Sequence, residues 1–490
     1  MSWFSWIFKR TSRATVSKAP LLFTNTLTGT KEIFTSYKAG IATLYSCGPT
    51  VYSKQHIGNL RAYVFSDTIT RVLTQAGFRV KPVINITDVG HLVADADEGE
   101  DKMLVGATRE GLTAKEIADK YTKLFVDDLG ALNIDTPSIQ FPRASEYIAE
   151  QIALIKKLEE EGYTYQTSDG VYFDTARLSS YGAFDRNPAQ SRETLNAEIV
   201  RRITSNKEKH QPADFALWRF SSTGQTRLQE WPRPWGRGFP GWHVECSAMA
   251  RALLGQPVDI HTGGIDHIPL HHTNEIAQSE AAYGTLLARV WMHEAFLTVN
   301  GSKVSKSLAN EVYLSDIEEK GFHPLSLRYF FLQAHYHTTV SFTWEALKAS
   351  DEALQRLWKL ARDVRALSSE RRAPSEQGRR LVSHLRDDLA TPAALALLWE
   401  SLRDDELSPE QLWDMLVLAD EVLGLSLTTP PGTRAIEALP EDVQSLMRER
   451  DLARTTQDFA RADELRIHIE NRGYRVDDGP SGTVVTRVRP

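Results

Sequence analysis

The residues of this 490-residue sequence that could do chemistry fall into two sets. The first is of the metal-binding type: Cys47 and Cys246, the chain's two cysteines, with His271, His272 and Glu275 in the run HHTNE. Two cysteines cannot frame a disulfide-rich scaffold, and in a chain this long they read as buried thiols or metal ligands, with one distant disulfide left open. On a helix, His271 and Glu275 lie four apart on one face, and His272 and Glu275 lie three apart, so spacing does not choose between the histidines. The second set is of the phosphate-binding type: His56, Gly58 and Asn59 in QHIGN, Gly263, Gly264 and Asp266 in GGID, and Lys303 and Lys306 in SKVSKS.

These residues need elements to hold them. Ile41 to Cys47 is a short apolar run rich in strand formers, stopped by Gly48-Pro49. From Ile57 the apolar positions recur at helical spacing as far as Gly77, so His56 and Asn59 fall in the first turn of a helix. A helix N-terminus offers unpaired N–H groups and partial positive charge, which suits a phosphate, and Gly58 lets a flat ligand come close. Arg79 to Val89 reads as a second strand, which makes a strand-helix-strand unit and calls for a parallel sheet. Thr87 closes that strand near Cys47. Further on, Gly241 to Gly255 reads as a helix carrying Cys246 near its start. Val258 to His261 reads as a strand, Gly263-Gly264 as a tight turn, and His271 to Ala282 as a helix. Lys303 and Lys306 sit on a Gly/Ser loop that could close over a triphosphate.

CGPTVY followed by HIGN, then GWHVECSAM, GGID, HHTNE and NGSKVSKSLAN in this order, resembles the cysteinyl-tRNA synthetase family of class I aminoacyl-tRNA synthetases. The resemblance runs from about Pro20 to the end. It implies an α/β fold: a Rossmann-like parallel-sheet catalytic domain with an insertion, followed by an all-α bundle and a small C-terminal helical domain. It implies ATP with Mg²⁺ and L-cysteine as substrates, tRNA(Cys) as partner, and one Zn²⁺ held by Cys47, Cys246, His271 and Glu275. Thr87 and Trp242 would line the cysteine pocket. His56, Gly58, Asn59, Gly263, Gly264, Asp266, Lys303 and Lys306 would bind ATP, with His56, Asn59, Lys303 and Lys306 catalytic. Val304, Ala309 and Thr273 depart from the family pattern, which has methionine, glycine and glutamate there. Two rival functions are ligation of cysteine to a small-molecule amine and tRNA binding without catalysis.

Hydrophobic residues at 41% and charged residues at 25% are those of an ordinary soluble protein. No apolar run approaches the roughly 18 residues of a membrane span. A net charge of −7 excludes nonspecific coating of nucleic acid but leaves room for a local basic surface. The expectation is a cytoplasmic monomer. Residues 1–19 are basic and lack acids, and we read them as a disordered extension rather than a targeting segment, because the apolar part is short and no small-residue cleavage pattern follows. The acidic stretch 95–101 reads as a solvated loop, its spacing being wrong for a calcium loop. Expected boundaries are 20–135 and 215–300 for the catalytic halves, 136–214 for the connective insertion, and 301–350 for the loop and stem-contact region. A helical anticodon-side bundle at 351–430 and a C-terminal helical unit at 431–490 complete the chain. Arg448, Arg450, Arg454, Arg461 and Arg466 in that last unit are candidates to face phosphates.

Overall fold

The computed structural model of the chain describes residues 19–90, 101–182, 184, 207–221, 227–304, 308, 310–369, 372–431, 440–456, 458–479 and 482–487. Its contacts divide into two units, one of residues Leu22–Asp351 and one of Glu352 onward together with the residues up to Leu21.

The first unit opens with a hairpin of β1 (Leu22–Asn25) and β2 (Thr30–Ile33), after which β3 (Ile41–Ser46), α1 (Ile57–Gln75) and β4 (Arg79–Ile84) form the expected parallel strand-helix-strand unit. Ile57, Leu60, Val64, Ile69, Val72 and Leu73 are all buried, so the helical period is the core face of α1. The second strand is shorter than expected: after Ile84 the chain leaves β4 and passes between two neighbours, with Ile86 N donating to Pro142 O and Thr87 N to Pro49 O. Asp101 is a correction to the solvated-loop expectation, since it is 6% exposed and caps α2 (Lys102–Glu110) by accepting from Met103 N and Leu104 N; residues 95–100 lie outside the described ones. Then come α3 (Ala114–Ala131), whose Thr113–Glu116 capping box fixes its start, and α4 (Ile148–Glu160).

Strands β5 (Thr164–Gln166), β6 (Gly170–Phe173), β7 (Phe215–Phe220), β8 (Trp231–Arg233) and β9 (Gly236–Pro240) form one antiparallel sheet in the order β5-β6-β7-β9-β8. The expected boundary at residue 214 therefore falls inside a sheet. Trp218 is wholly buried in a cluster with Leu154, Phe173 and Val244, and is a packing residue.

Next, α5 (Trp242–Leu254) leads to β10 (Val258–Gly264), which is three residues longer than expected. Its glycines are in the strand because rings crowd it: a Cβ on Gly263 would stand 2.5 Å from His267 Nδ1 and 2.7 Å from the His272 ring. A tight turn at Ile265–His267 and a π-helical turn at Ile268–His272 precede α6 (Thr273–Tyr283), so His271 and His272 lie before the regular helix rather than in it. With β11 (Ala288–Glu294) the central sheet is complete, all parallel, in the order β11-β10-β3-β4. A smaller sheet follows, with β12 (Leu297–Val299) between β13 (Ser302–Lys303) and β14 (Val340–Phe342), connected through α7 (Leu314–Glu319) and α8 (Pro324–Leu332).

Helix α9 (Trp344–Leu367) runs from the first unit into the second, which contains α10 (Glu376–Arg386), α11 (Thr391–Ser401) and α12 (Pro409–Leu423). Between α10 and α11, Asp388 and Leu389 take φ of 56° and 55°, which no α-helix continues. Last come α13 (Glu441–Thr455), α14 (Phe459–Glu470) and an antiparallel hairpin of β15 (Tyr474–Gly479) and β16 (Gly482–Arg487). The C-terminal unit is thus not purely helical, and Arg450, 2% exposed, is a core residue that cannot face phosphate.

Candidate active site

The parallel strands β3 and β10 are neighbours, and their chains leave toward opposite edges of the sheet, β3 toward β4 and β10 toward β11. In open α/β sheets the crevice at such a switch point, beyond the carboxyl ends of the strands, takes the ligand. Ser46 is paired with Thr262 on one side and Ile84 on the other, so Cys47, Gly263 and the Asn85–Thr87 segment all emerge at that edge.

Cys47 is fixed by backbone. Its N–H donates to Thr262 O at 3.1 Å, and Gly48 N donates to Asn85 Oδ1 at 2.8 Å. A Cβ on Gly48 would stand 1.5 Å from Asn85 O, so only glycine permits this approach. Thr87 is 1% exposed, accepts from Asn85 Nδ2 at 3.1 Å and lies across from Thr50. Both candidate pocket residues are therefore near the crevice: Trp242 opens α5 with its ring centroid 4.2 Å from that of His271.

Cys246 is 1% exposed on the second turn of α5. Its sulfur, the Cys47 sulfur and a His271 ring nitrogen lie within 4.8 Å of one another. A second group, Cys47, His261, His272 and Glu275, meets the same limit and shares Cys47 with the first. Glu275 Oε1 is 3.9 Å from His271 Nε2, and Glu275 Oε2 is 3.8 Å from His272 Nε2, so the observed geometry keeps both histidines within reach. Cys47 Sγ is 3.2 Å from His272 Nε2.

Most of the basin is buried. Glu275 is 0% exposed, and among the described residues neither of its oxygens has an aligned hydrogen bond, although His261 Nε2 is 3.1 Å from Oε2. A carboxylate buried in this state costs several kcal/mol unless a cation meets it. Burial pushes the Cys47 thiol well up, helped by Cys246. Cys246 is raised on balance, its hydrogen bond to Cys47 pulling down while burial and Glu275 push up. Burial, followed by the neighbouring histidines, holds His272 well below its ordinary value and therefore neutral. Two thiols, neutral imidazole and an unmatched carboxylate are the donor chemistry of a zinc site, whose bond lengths of about 2.0–2.3 Å place ligand atoms roughly 3.5–4 Å apart.

The nucleotide side is more open. His56 is the N-cap of α1 rather than part of its first turn, and its Nδ1 accepts from Asn59 N at 3.2 Å. Gly58 lies under that ring, where a Cβ would come 3.1 Å from the imidazole. Asn59 and Asp266 are exposed, and a Cβ on Gly264 would meet Asp266 Oδ1 at 2.4 Å. Lys303 is exposed on β13, paired with Thr298, and its carbonyl accepts from Asn310 Nδ2 at 3.0 Å. Lys306 and Ala309 lie outside the described residues. Val304 is partly exposed, and Thr273 is buried with its hydroxyl donating to Ile268 O at 2.6 Å, so it closes the π-helical turn and takes no part in the ligand set.

Sequence reasoning missed His261 and His293. His272 Nδ1 is 2.6 Å from His293 Nε2, and His293 Nδ1 is 2.8 Å from Thr26 Oγ1. The signal was present: a histidine at a strand position, 261 in β10 and 293 in β11, is a polar group that burial forces to find a partner.

The description of the class I (C) tRNA synthetase catalytic domain matches residues 33–352. The chain belongs to the class I (C) tRNA synthetases. A curated Burkholderia lata relative, cysteine–tRNA ligase 1, is 46% identical over 467 residues, covering 94% of this chain and 96% of the relative. The cysteine–tRNA ligase of Novosphingobium aromaticivorans is 41% identical over 94% of this chain and 96% of its own length. Among solved structures, Mycobacterium tuberculosis methionyl-tRNA synthetase with methionyl-adenylate superposes with a TM-score of 0.59 at 17% identity, covering 79% of this chain and 92% of that one, a likeness of fold. Members of both candidate sets, Cys47 and Gly263, emerge at the crevice between β3 and β10.

Proposed function

We propose that this chain is a cysteine–tRNA ligase that activates L-cysteine with ATP and transfers it to the 3′ end of tRNA(Cys). The observation that carries the reading is the meeting of the Cys47–Cys246–His271 basin, with the buried Glu275 beside it, and the His56–Asn59 helix start at one crevice. The cysteine carboxylate attacks the α-phosphorus of ATP, the bond to the β-phosphate oxygen breaks, and pyrophosphate leaves with its Mg²⁺. His56 and Asn59 meet the phosphates at the N-terminus of α1, while Gly58, Gly263 and Gly264 let the nucleotide approach and Asp266 accepts from ribose hydroxyls. Lys303 and Lys306 neutralise the charge that develops on the α-phosphate and the leaving group.

Cys47, Cys246, His271 and Glu275 would hold a zinc ion, with His272 the competing donor. Such an ion supplies an affinity for a thiol that a hydroxyl of the same size lacks, which is the discrimination an apolar pocket cannot achieve against serine. Thr87 and Trp242 would hold the rest of the amino acid. The helical unit from Glu352 on would contribute tRNA contacts on the anticodon side.

Charging of tRNA by purified protein with labelled cysteine, beside serine and again after metal removal, tests this reading. Cysteine-only, metal-dependent charging is expected. Pyrophosphate exchange without tRNA charging would move the function to a ligase for small amines.

A further inference from the structure

One turn into α1 from the His56–Asn59 cap, a guanidinium is buried whose hydrogen bonds leave the helix. Arg61 is 3% exposed. Its Nη1 donates to Ala295 O at 2.9 Å and Phe296 O at 3.1 Å, its Nη2 to Thr338 O at 2.9 Å and, at 3.5 Å, to His335 O, and its Nε lies 2.9 Å from Glu294 Oε1. A guanidinium has five N–H donors in a planar fork, and each here has an acceptor. Those acceptors have one thing in common. Glu294, Ala295 and Phe296 join β11 to β12, and His335 and Thr338 lead into β14, so they bracket the small sheet whose third strand, β13, carries Lys303. Beyond the loop the chain returns to the same helix: Ile57 N donates to Val312 O at 2.8 Å and His56 bridges Tyr313.

We propose that Arg61, seated on Glu294, is a positioning residue that sets the Lys303 loop against the His56–Asn59 turn for adenylate formation. The proposal rests on the ligase reading above. Arg61 touches no substrate in this account. Its guanidinium ties α1 to the backbone on either side of the small sheet that carries Lys303, so its loss should be felt in the chemical step more than in ground-state binding. Lysine, with three donors on a point charge, could not serve all of these acceptors and would leave buried carbonyls unmatched.

The test is Arg61→Lys, with Glu294→Ala and Glu294→Gln, in cysteine-dependent pyrophosphate exchange, each rate divided by the active-site concentration from the adenylate burst. For Arg61→Lys the expected result is a fall in kcat of about a hundredfold, the scale of a small misplacement of catalytic groups, with KM for ATP and for cysteine within about twofold of wild type. Glu294→Ala falls in the same direction and Glu294→Gln, which keeps an acceptor for Nε, recovers most of the loss. Amide hydrogen exchange with and without ATP adds a readout that does not depend on turnover: faster exchange in 297–303 and 340–342, with the amides of β3 and β10 unchanged, supports the positioning role. A loss that vanishes after burst normalisation, or a raised KM with kcat intact, or unchanged exchange in those segments, overturns it. Failure of the wild-type protein to activate cysteine would instead overturn the ligase reading, and the exchange experiment would still decide whether Arg61 holds the loop.

Discussion

The two sides of the crevice are built on opposite principles. On the cysteine side Cys246, His261, His271, His272 and Glu275 are all at most 1% exposed, and the strand ends, the π-helical turn and α5 lock them in place. On the candidate nucleotide side Asn59, Asp266 and Lys303 are exposed, and their placement comes from backbone: a capped helix start, the tight turn at Ile265–His267 and a two-residue strand. The contrast teaches that recognition and acceleration ask different things of a protein. Selecting a thiol calls for desolvated donors that nothing else satisfies, because discrimination grows when the wrong ligand leaves buried groups unmatched. Stabilising a transient charge calls for groups that can come in late and in the right place.

The largest effect expected from this contrast is at the basin. Cys246→Ala, or removal of metal by a chelator, should lower cysteine-dependent exchange by on the order of 10³-fold or more, while the affinity for a non-hydrolysable ATP analogue, measured by calorimetry, stays within about twofold. Metal content should fall with activity. A matching loss of analogue affinity would break the comparison, since the two sides would then be one structural unit. At the rim, Lys303→Ala should lower kcat by about 10²-fold and leave KM for cysteine unchanged; a rise in that KM with kcat intact would place the lysine in ground-state binding.

A smaller effect separates the two roles of His56. His56→Asn keeps a good N-cap, so urea unfolding should shift by no more than about 0.5 kcal/mol, while exchange slows because the imidazole is gone. Loss of stability in step with rate would make His56 a capping residue only. The smallest effect concerns Glu294, whose carboxyl burial pushes up to about 8 with the Arg61 guanidinium pulling the other way. Above its ordinary value, which lies near 4.5, the folded chain keeps a proton that the unfolded chain has lost. This contribution to stability is complete at low pH and is lost as pH rises toward 8. Wild-type Tm should therefore drop more than that of Glu294→Gln between about pH 5 and about pH 8.5, and parallel slopes would sink the assignment.

Much of this was legible in the sequence, for reasons that can be named. α1 could be read because its apolar period is uninterrupted between a polar cap and Gly77. β10 was cut short because Gly263 and Gly264 signal a turn locally, whereas here crowding by the His267 and His272 rings at Gly263 and by the Asp266 carboxylate at Gly264 requires them inside a strand. The π-helical turn was not legible, since its cause is the way Pro269 and the Thr273 hydroxyl divert the backbone before α6. Cys47, Cys246, His271 and Glu275 could be collected only through the family's motifs. Nothing in their separate neighbourhoods says that residues 224 positions apart meet, and His261 and His293 escaped notice because each sits inside a strand rather than within a motif.

Gly48 bears on any attempt to retarget the amino-acid choice. A library could vary Thr87 or Trp242 and still fold, because those positions offer side chains to exchange. Position 48 offers none: the carbonyl of Asn85 is pressed against its bare backbone. Directed evolution would therefore meet there a site where even alanine is too large, a fixed origin from which every new pocket would have to be measured.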